Sequence, residues 1–285
     1  MSKKQPTIPE WTIDPVLYHY TTVDAFLSIL QHNSLWATHI RYMNDTSEQN
    51  VLWDRLRSEA GSRLAKGHDP NREWLTEVLR AAEDPYQTDV FAVCFSKDGG
   101  NRLSQWRGYS QGRGVSIGFN IFELTHHCDA FSARWRSSAP EGSHGGAMLL
   151  PVVYVGQPES DAHLDRVIDG YLKKNPFMGD DPRKALCLSV SFFAANTKHS
   201  AFAEENEWRI MVFDHVVPQP MKFRTRGSMV VPYRELDFQP SIVPAIHNVI
   251  LGPSPHQKEN RESIKRLTGL SDEQIILSDT PFRDW

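Results

Sequence analysis

Asp89 to Ser96 reads DVFAVCFS, a nearly unbroken run of apolar, β-prone residues. Side chains alternate across a strand, so a run apolar at almost every position has two faces to bury and belongs inside a sheet. The remaining elements come in irregular order around it. Val115, Ile117 and Phe119 alternate with Ser116 and Gly118, the pattern of a half-buried strand. Residues 148–156 (MLLPVVYVG), Glu207 to Phe213 (EWRIMVF), Val249 to Leu251 and Gln274 to Leu277 read as further strands, as does Val16 to Tyr20 (VLYHY). Thr21 then reads as a helix cap with Asp24 three residues on, and Val23, Phe26, Leu27 and Leu30 recur at helical spacing. Helices are also expected after Asn44-Asp45-Thr46 through Leu52 and Leu56, around Trp74 to Ala82, through Leu164, Val167, Ile168 and Tyr171, over 183–197, and near 256–268. Leu103 to Ser110 fits a short helix or a turn. Without a regular βαβ beat, these blocks predict an α+β fold, a mixed or antiparallel sheet with flanking helices. One domain over 16–285 is expected, after an extended lead-in over 1–15 that holds three prolines.

Composition narrows the function classes. With 40% hydrophobic and 23% charged residues in 285, the chain has ample material for a core. Its formal charge of −4 gives no net push toward nucleic acid or an anionic membrane. Cys94, Cys128 and Cys187 lie far apart without a CxxC pair, so neither a disulfide framework nor a cysteine-rich zinc site is suggested. The opening MSKKQPTIPEWTIDP lacks the apolar run of a signal peptide, and no stretch approaches the roughly 18 apolar residues of a membrane span. A cytoplasmic location without membrane association is expected. Gly112 and Gly114 lead into the strand that holds Gly118 rather than into a helix, so the three make no dinucleotide fingerprint. His126-His127-Cys128 has poor spacing for one tetrahedral metal, and no GxSxG, P-loop or HExxH motif occurs.

The polar residues with chemical potential lie in three places. His19, Tyr20 and Thr21 stand where the first strand meets a helix N-terminus, a natural anion or ribose contact, although a lone strand histidine is more often structural. Around Ser96 to Phe119, Trp106 and Tyr109 lie close to Arg102, Arg107 and Arg113, with Gly108, Gly112 and Gly114 permitting close backbone approach. Such a set suits a stacked base or nicotinamide with phosphates alongside, and equally a packed turn. On the late strand, Trp208, Ile210 and Val212 share one face while Glu207, Arg209 and Met211 share the other. Glu207 and Arg209 then form either a structural ion pair or part of a cleft, with Glu204-Glu205-Asn206 beside them. Helix capping explains most of the Asn44 to Glu48 cluster.

Taken in order, these segments are similar to the domain of unknown function 2971. The resemblance is carried by Leu17-Tyr18-His19-Tyr20-Thr21 with Ile29-Leu30, by Asn44-Asp45 and Glu48, and by Cys94-Phe95-Ser96. It continues through Trp106, Tyr109, Gly114, Gly118-Phe119, Glu205 to Arg209, Ile250-Leu251-Gly252-Pro253 and Ser278 to Arg283, with Trp208 where tyrosine or another aromatic is expected. His-x-Thr closing a first strand before a helix ending Ile-Leu also resembles the entry of ADP-ribosyltransferases, including DNA-modifying toxins. That second resemblance implies a split α+β sheet and NAD as substrate. In its terms Glu207 (with Glu205 in reserve) stabilises the ribose cation and His19 grips a ribose. Trp106 or Tyr109 packs on nicotinamide, Arg209 contacts phosphate or pairs with Glu207, and Tyr20, Thr21 and Ser96 complete the pocket. It implies an ADP-ribosyltransferase with a nucleic-acid or protein acceptor, or an NAD glycohydrolase with water, and, for a toxin or phage-defence effector, an antitoxin or defence-system partner. The alternative is a non-catalytic nucleotide- or nucleic-acid-binding module using the same residues.

Overall fold

In the computed structural model the described residues are 16–43, 47–67, 69–83, 89–97, 99–110, 114–138, 145–156, 158–173, 182–214 and 221–280. The lead-in over 1–15, the Asn44-Asp45-Thr46 cap, Gly112, Arg113 and the chain beyond Thr280 lie outside them. The strands are β1 (Val16–Thr21), β2 (Ser34–His39), β3 (Val90–Ser96), β4 (Val115–Asn120), β5 (Gly145–Pro151), β6 (Val153–Val155), β7 (Thr197–His199), β8 (Glu207–Asp214), β9 (Lys222–Arg226), β10 (Met229–Asp237), β11 (Ile246–Leu251) and β12 (Ile275–Leu277). The α-helices are α1 (Val23–His32), α2 (Ser47–Ala65), α3 (Arg72–Glu83), α4 (Leu103–Tyr109), α5 (Ile121–Ser138), α6 (Pro158–Leu172), α7 (Pro182–Ala195) and α8 (Gln257–Thr268). The fold is α+β, as expected. Ten strands form one mixed sheet, antiparallel except where β11 and β12 run together, and β6 pairs β7 in parallel as a second small sheet.

The sheet forks at β3. Along one edge β3 pairs β8 from Val90 to Ser96. The other edge is shared: β2 pairs at Phe91 and Ala92, and β1 pairs at Ser96. Between them the edge at Val93, Cys94 and Phe95 meets no strand among the described residues. This gap between β1 and β2 positions the candidate site.

Two apolar cores flank the sheet. The larger gathers Leu17, Phe26, Phe91, Val93, Ile117, Phe119, Ile210 and Val212 with residues of α5, α8, β11 and β12. The second is helical, joining Leu52, Leu56, Trp74, Leu75, Leu186 and Val190 of α2, α3 and α7 with Leu164 and Ile168 of α6. A smaller contact of Val90, Ala92, Ala195 and Met211 fastens α7 to the sheet.

Several local expectations are corrected. The α1 cap is Thr22, whose Oγ1 accepts from the Ala25 amide at 3.2 Å, because Thr21 is still in the ladder opposite Val115. β4 is buried on both faces rather than one: it is interior, with β1 and β11 on either side and Ser116 fully covered. Residues 148–156 divide into β5 and β6, since the chain leaves β8 after Pro151 and joins β7 from Val153. The helix expected over 183–197 stops at Ala195, and Thr197 begins β7. No element was expected for β2, α5 or the β9–β10 hairpin.

Glycine is required where β1, α4 and β4 converge. A Cβ on Gly114 would lie 2.0 Å from the Thr21 carbonyl oxygen and 2.4 Å from Ser110 Cβ, and the first of these is backbone that cannot swing aside. Gly114→Ala is therefore expected to cost about 2–3 kcal/mol and lower Tm by roughly 4–10 °C. A thermal melt within about a degree of wild type would contradict this packing.

Candidate functional site: a cleft in the fork of the sheet

A cleft of about 560 Å³ opens at the fork, a size suited to a nucleotide-scale ligand. Ala92, Val93 and Cys94 of β3 form its floor, and β1 brings His19, Tyr20 and Thr21 to one side. Trp36 and Thr38 of β2 stand opposite. α4 contributes Tyr109, β8 contributes Glu207 and Arg209, and β7 with the turn after it contributes Lys198, Phe202, Glu204 and Glu205. Ser96 lines an adjoining recess of about 60 Å³.

His19 fills a role created by the fork. Its Nδ1 lies 2.9 Å from the Cys94 carbonyl, on the stretch of β3 that lacks a strand neighbour. A carbonyl only accepts, so Nδ1 carries the proton and Nε2 keeps its lone pair as an acceptor. Burial, partly opposed by that hydrogen bond and reinforced by the nearby Arg224 charge, lowers the His19 pKa and keeps the ring neutral.

Glu207 is the hub of a buried ion network. Arg209 Nε donates to its Oε1 at 2.7 Å and Nη2 to its Oε2 at 3.0 Å. Lys198 Nζ lies 3.1 Å from the same Oε2 and 2.6 Å from Glu205 Oε2. The nearby Cys94 thiol also favours the ionised Glu207 carboxyl. Burial alone would raise the Glu207 pKa, but the Arg209 and Lys198 charges and these hydrogen bonds outweigh it and hold the carboxyl at about 2. The Lys198 ammonium, disfavoured by burial, is kept charged by Glu207 and Glu205. Burial and Glu205 push the Tyr109 hydroxyl well above its ordinary value.

Of the residues singled out from sequence, His19, Tyr20, Thr21, Tyr109, Glu207 and Arg209 reach the cleft. Trp106 does not. It is fully buried, meets Tyr20 edge to face with ring centroids 4.9 Å apart, and donates through Nε1 to Asn101 Oδ1 at 3.1 Å. A ring with no exposed face has none to offer a ligand, whereas Tyr109 is 40% exposed. Of the two roles expected for Arg209, the structure shows the pair with Glu207: its guanidinium donates to Glu207 and, through Nη1, to the Ala195 carbonyl. Ser96 donates to the Glu205 carbonyl at 2.9 Å, pinning the turn that carries the acidic residues. Arg102 donates to the Glu204 carbonyl and Arg107 is exposed, and neither lines the cleft.

Lys198, Trp36 and Arg224 were missed. Lys198 sits in a three-residue strand with no periodic signal. Trp36 follows α1 directly, and the readable cue was Asn33, which ends the helix in the left-handed conformation at φ 48°. Arg224 lies on a hairpin whose cue was Gly227-Ser228 between two β-prone runs.

The family model described as protein of unknown function (DUF2971) matches residues 105–210. Over these residues the chain is similar to that family. The matched segment carries Tyr109, Lys198, Glu205, Glu207 and Arg209, while His19 and the β9–β10 hairpin lie outside it. No curated protein and no solved structure matches the chain. No helix among the described residues is long and apolar enough to cross a membrane.

Proposed function

We propose that the cleft binds NAD and cleaves its nicotinamide–ribose bond, passing the ADP-ribosyl group to an acceptor or to water. The observation that carries this is the convergence of His19, Tyr109 and Glu207, from three separate segments, on one cleft of about 560 Å³. Breaking the C–N bond sends its electron pair onto the nicotinamide nitrogen and leaves positive charge on the ribose, as in glycoside hydrolysis. Glu207, ionised throughout the physiological range, is the anion that opposes this charge. A ribose hydroxyl would gain access on the side of the Cys94 thiol, a weaker donor than Arg209 or Lys198. The free Nε2 of His19 accepts from a second hydroxyl, and the exposed Tyr109 ring packs on nicotinamide. The resemblance to toxins extends the proposal to a nucleic-acid or protein acceptor, a toxin or phage-defence setting with an antitoxin or defence-system partner, and an intracellular location where NAD is present.

One observation favours a second reading, nucleotide binding without turnover: Arg209 and Lys198 already hold both Glu207 oxygens. Incubating the protein with NAD, with and without DNA, RNA or cell lysate, and measuring nicotinamide release separates the two. Release supports the enzyme; NAD binding with no release under any condition supports the binding module; neither binding nor release sinks both. Tyr109→Ala is expected to weaken NAD binding on the order of 10- to 100-fold, the scale of one lost stacking contact, while leaving Tm near wild type. Unchanged affinity by calorimetry would remove Tyr109 from the site.

A further inference from the structure

The two ends of the cleft differ in how their charges are compensated. Near Glu207 every cation has a carboxylate: Arg209 pairs with Glu207, and Lys198 with Glu205 and Glu207. At the outer end Arg224, on β9, has none among the described residues. Its Nη2 donates to Thr38 Oγ1 at 2.7 Å, and its guanidinium lies 5.6 Å from the Trp36 ring centroid. Its Nε is buried with no hydrogen-bond partner among the described residues, and so is Nε1 of Trp36. Both side chains line the cleft. Arg226, two residues on along β9, also lines the cleft and adds a second positive charge. Burial and the Arg226 charge both act to lower the Arg224 pKa, the signature of a cation placed where an anion is missing.

Buried donors are normally satisfied, and leaving one unpaired is costly. Two orphaned donors on adjacent cleft side chains, beside a cation without a counter-ion, call for a ligand that is anionic and rich in acceptors. The planar guanidinium matches the spacing of phosphate oxygens and forms charge-assisted bonds with them.

We propose that Arg224, Trp36 and Thr38, with Arg226 beside them, form a phosphate subsite at the outer end of the cleft. Assigning that phosphate to a nucleotide rests on the function proposed above; the subsite itself does not. The group comes either from the pyrophosphate of a dinucleotide or from the phosphodiester of a nucleic-acid acceptor.

Calorimetric titration of the full chain with inorganic pyrophosphate, ADP-ribose, adenosine and a short single-stranded oligonucleotide tests this, using wild type, Arg224→Gln and Trp36→Phe. Wild type is expected to bind pyrophosphate and ADP-ribose, with Arg224→Gln weaker on the order of 10- to 100-fold for both. Trp36→Phe, which keeps the ring and drops the donor, is expected to lose less, and adenosine affinity stays equal in all three. A loss confined to the oligonucleotide supports the subsite with a phosphodiester as its ligand. Pyrophosphate binding that depends on Arg224 without any ADP-ribose binding supports the subsite while removing the dinucleotide. Equal affinities of wild type and a folded Arg224→Gln for every phosphate ligand overturn the subsite. So does a wild type that binds none of them.

Discussion

Glu207→Gln is expected to reduce nicotinamide release on the order of 10²- to 10³-fold and to lower the unfolding free energy by about 3–5 kcal/mol. The two losses have separate causes. Gln retains an oxygen that can accept a hydrogen bond, but it carries no charge to oppose a ribose cation. It also strips Arg209 of the carboxylate to which Nε and Nη2 both donate, and Lys198 of one of its two carboxylates. A denaturation midpoint reads the second effect, and release assayed well below the variant's Tm reads the first. Glu207 also sets an acid limb. Its carboxyl is held at about 2 against an ordinary 4.5, so its contribution is complete above the ordinary value. That contribution, ~3 kcal/mol, is lost as pH falls through the interval toward 2. Glu207→Gln should flatten this limb of the pH–stability profile; an unchanged acid limb would mean that the network contributes nothing to folding.

How far the sequence reveals this site depends on the kind of signal each part carries. Long apolar strands such as β3 and β8 announce themselves, and the alternation in β8 places Ile210 and Val212 in the core and Glu207 and Arg209 on the cleft side. The general region of the site was legible for the same reason. What stayed hidden is tertiary. Whether Trp106 or Tyr109 faces the cleft turns on how α4 rotates against β1, and the two differ by only three positions in a seven-residue helix. β2 is short and follows α1 without glycine or proline. In α5 the apolar contrast is low, Leu124, Cys128 and Trp135 being its main buried markers among polar neighbours. The fork itself is a matter of pairing: nothing in DVFAVCFS indicates that one edge of the strand is shared between two partners.

Trp106→Ala is expected to cost about 3–5 kcal/mol, with Tm falling by roughly 6–15 °C. The side chain is wholly enclosed with Tyr20 and Ile250, and partly buried Tyr18 packs against the group. Its removal opens a cavity and leaves Asn101 Oδ1 without the indole donor, although Ser278 and Thr280 hydroxyls still reach that oxygen. Trp106→Phe should recover much of the loss, because it refills most of the volume. Nucleotide affinity of the Phe variant, measured below its Tm, should match wild type. A large drop in affinity with stability preserved would instead mean that Trp106 touches the ligand.

The fork also determines what a ligand meets on arrival. The floor of the cleft is the middle of β3, whose far edge is stapled to β8 through seven successive residue pairs from Val90 to Ser96, with β5 beyond it. Backbone braced in this way has little room to recoil. Most of the ordering that binding would otherwise demand is already done by folding, so less affinity is surrendered to conformational entropy when the cleft fills.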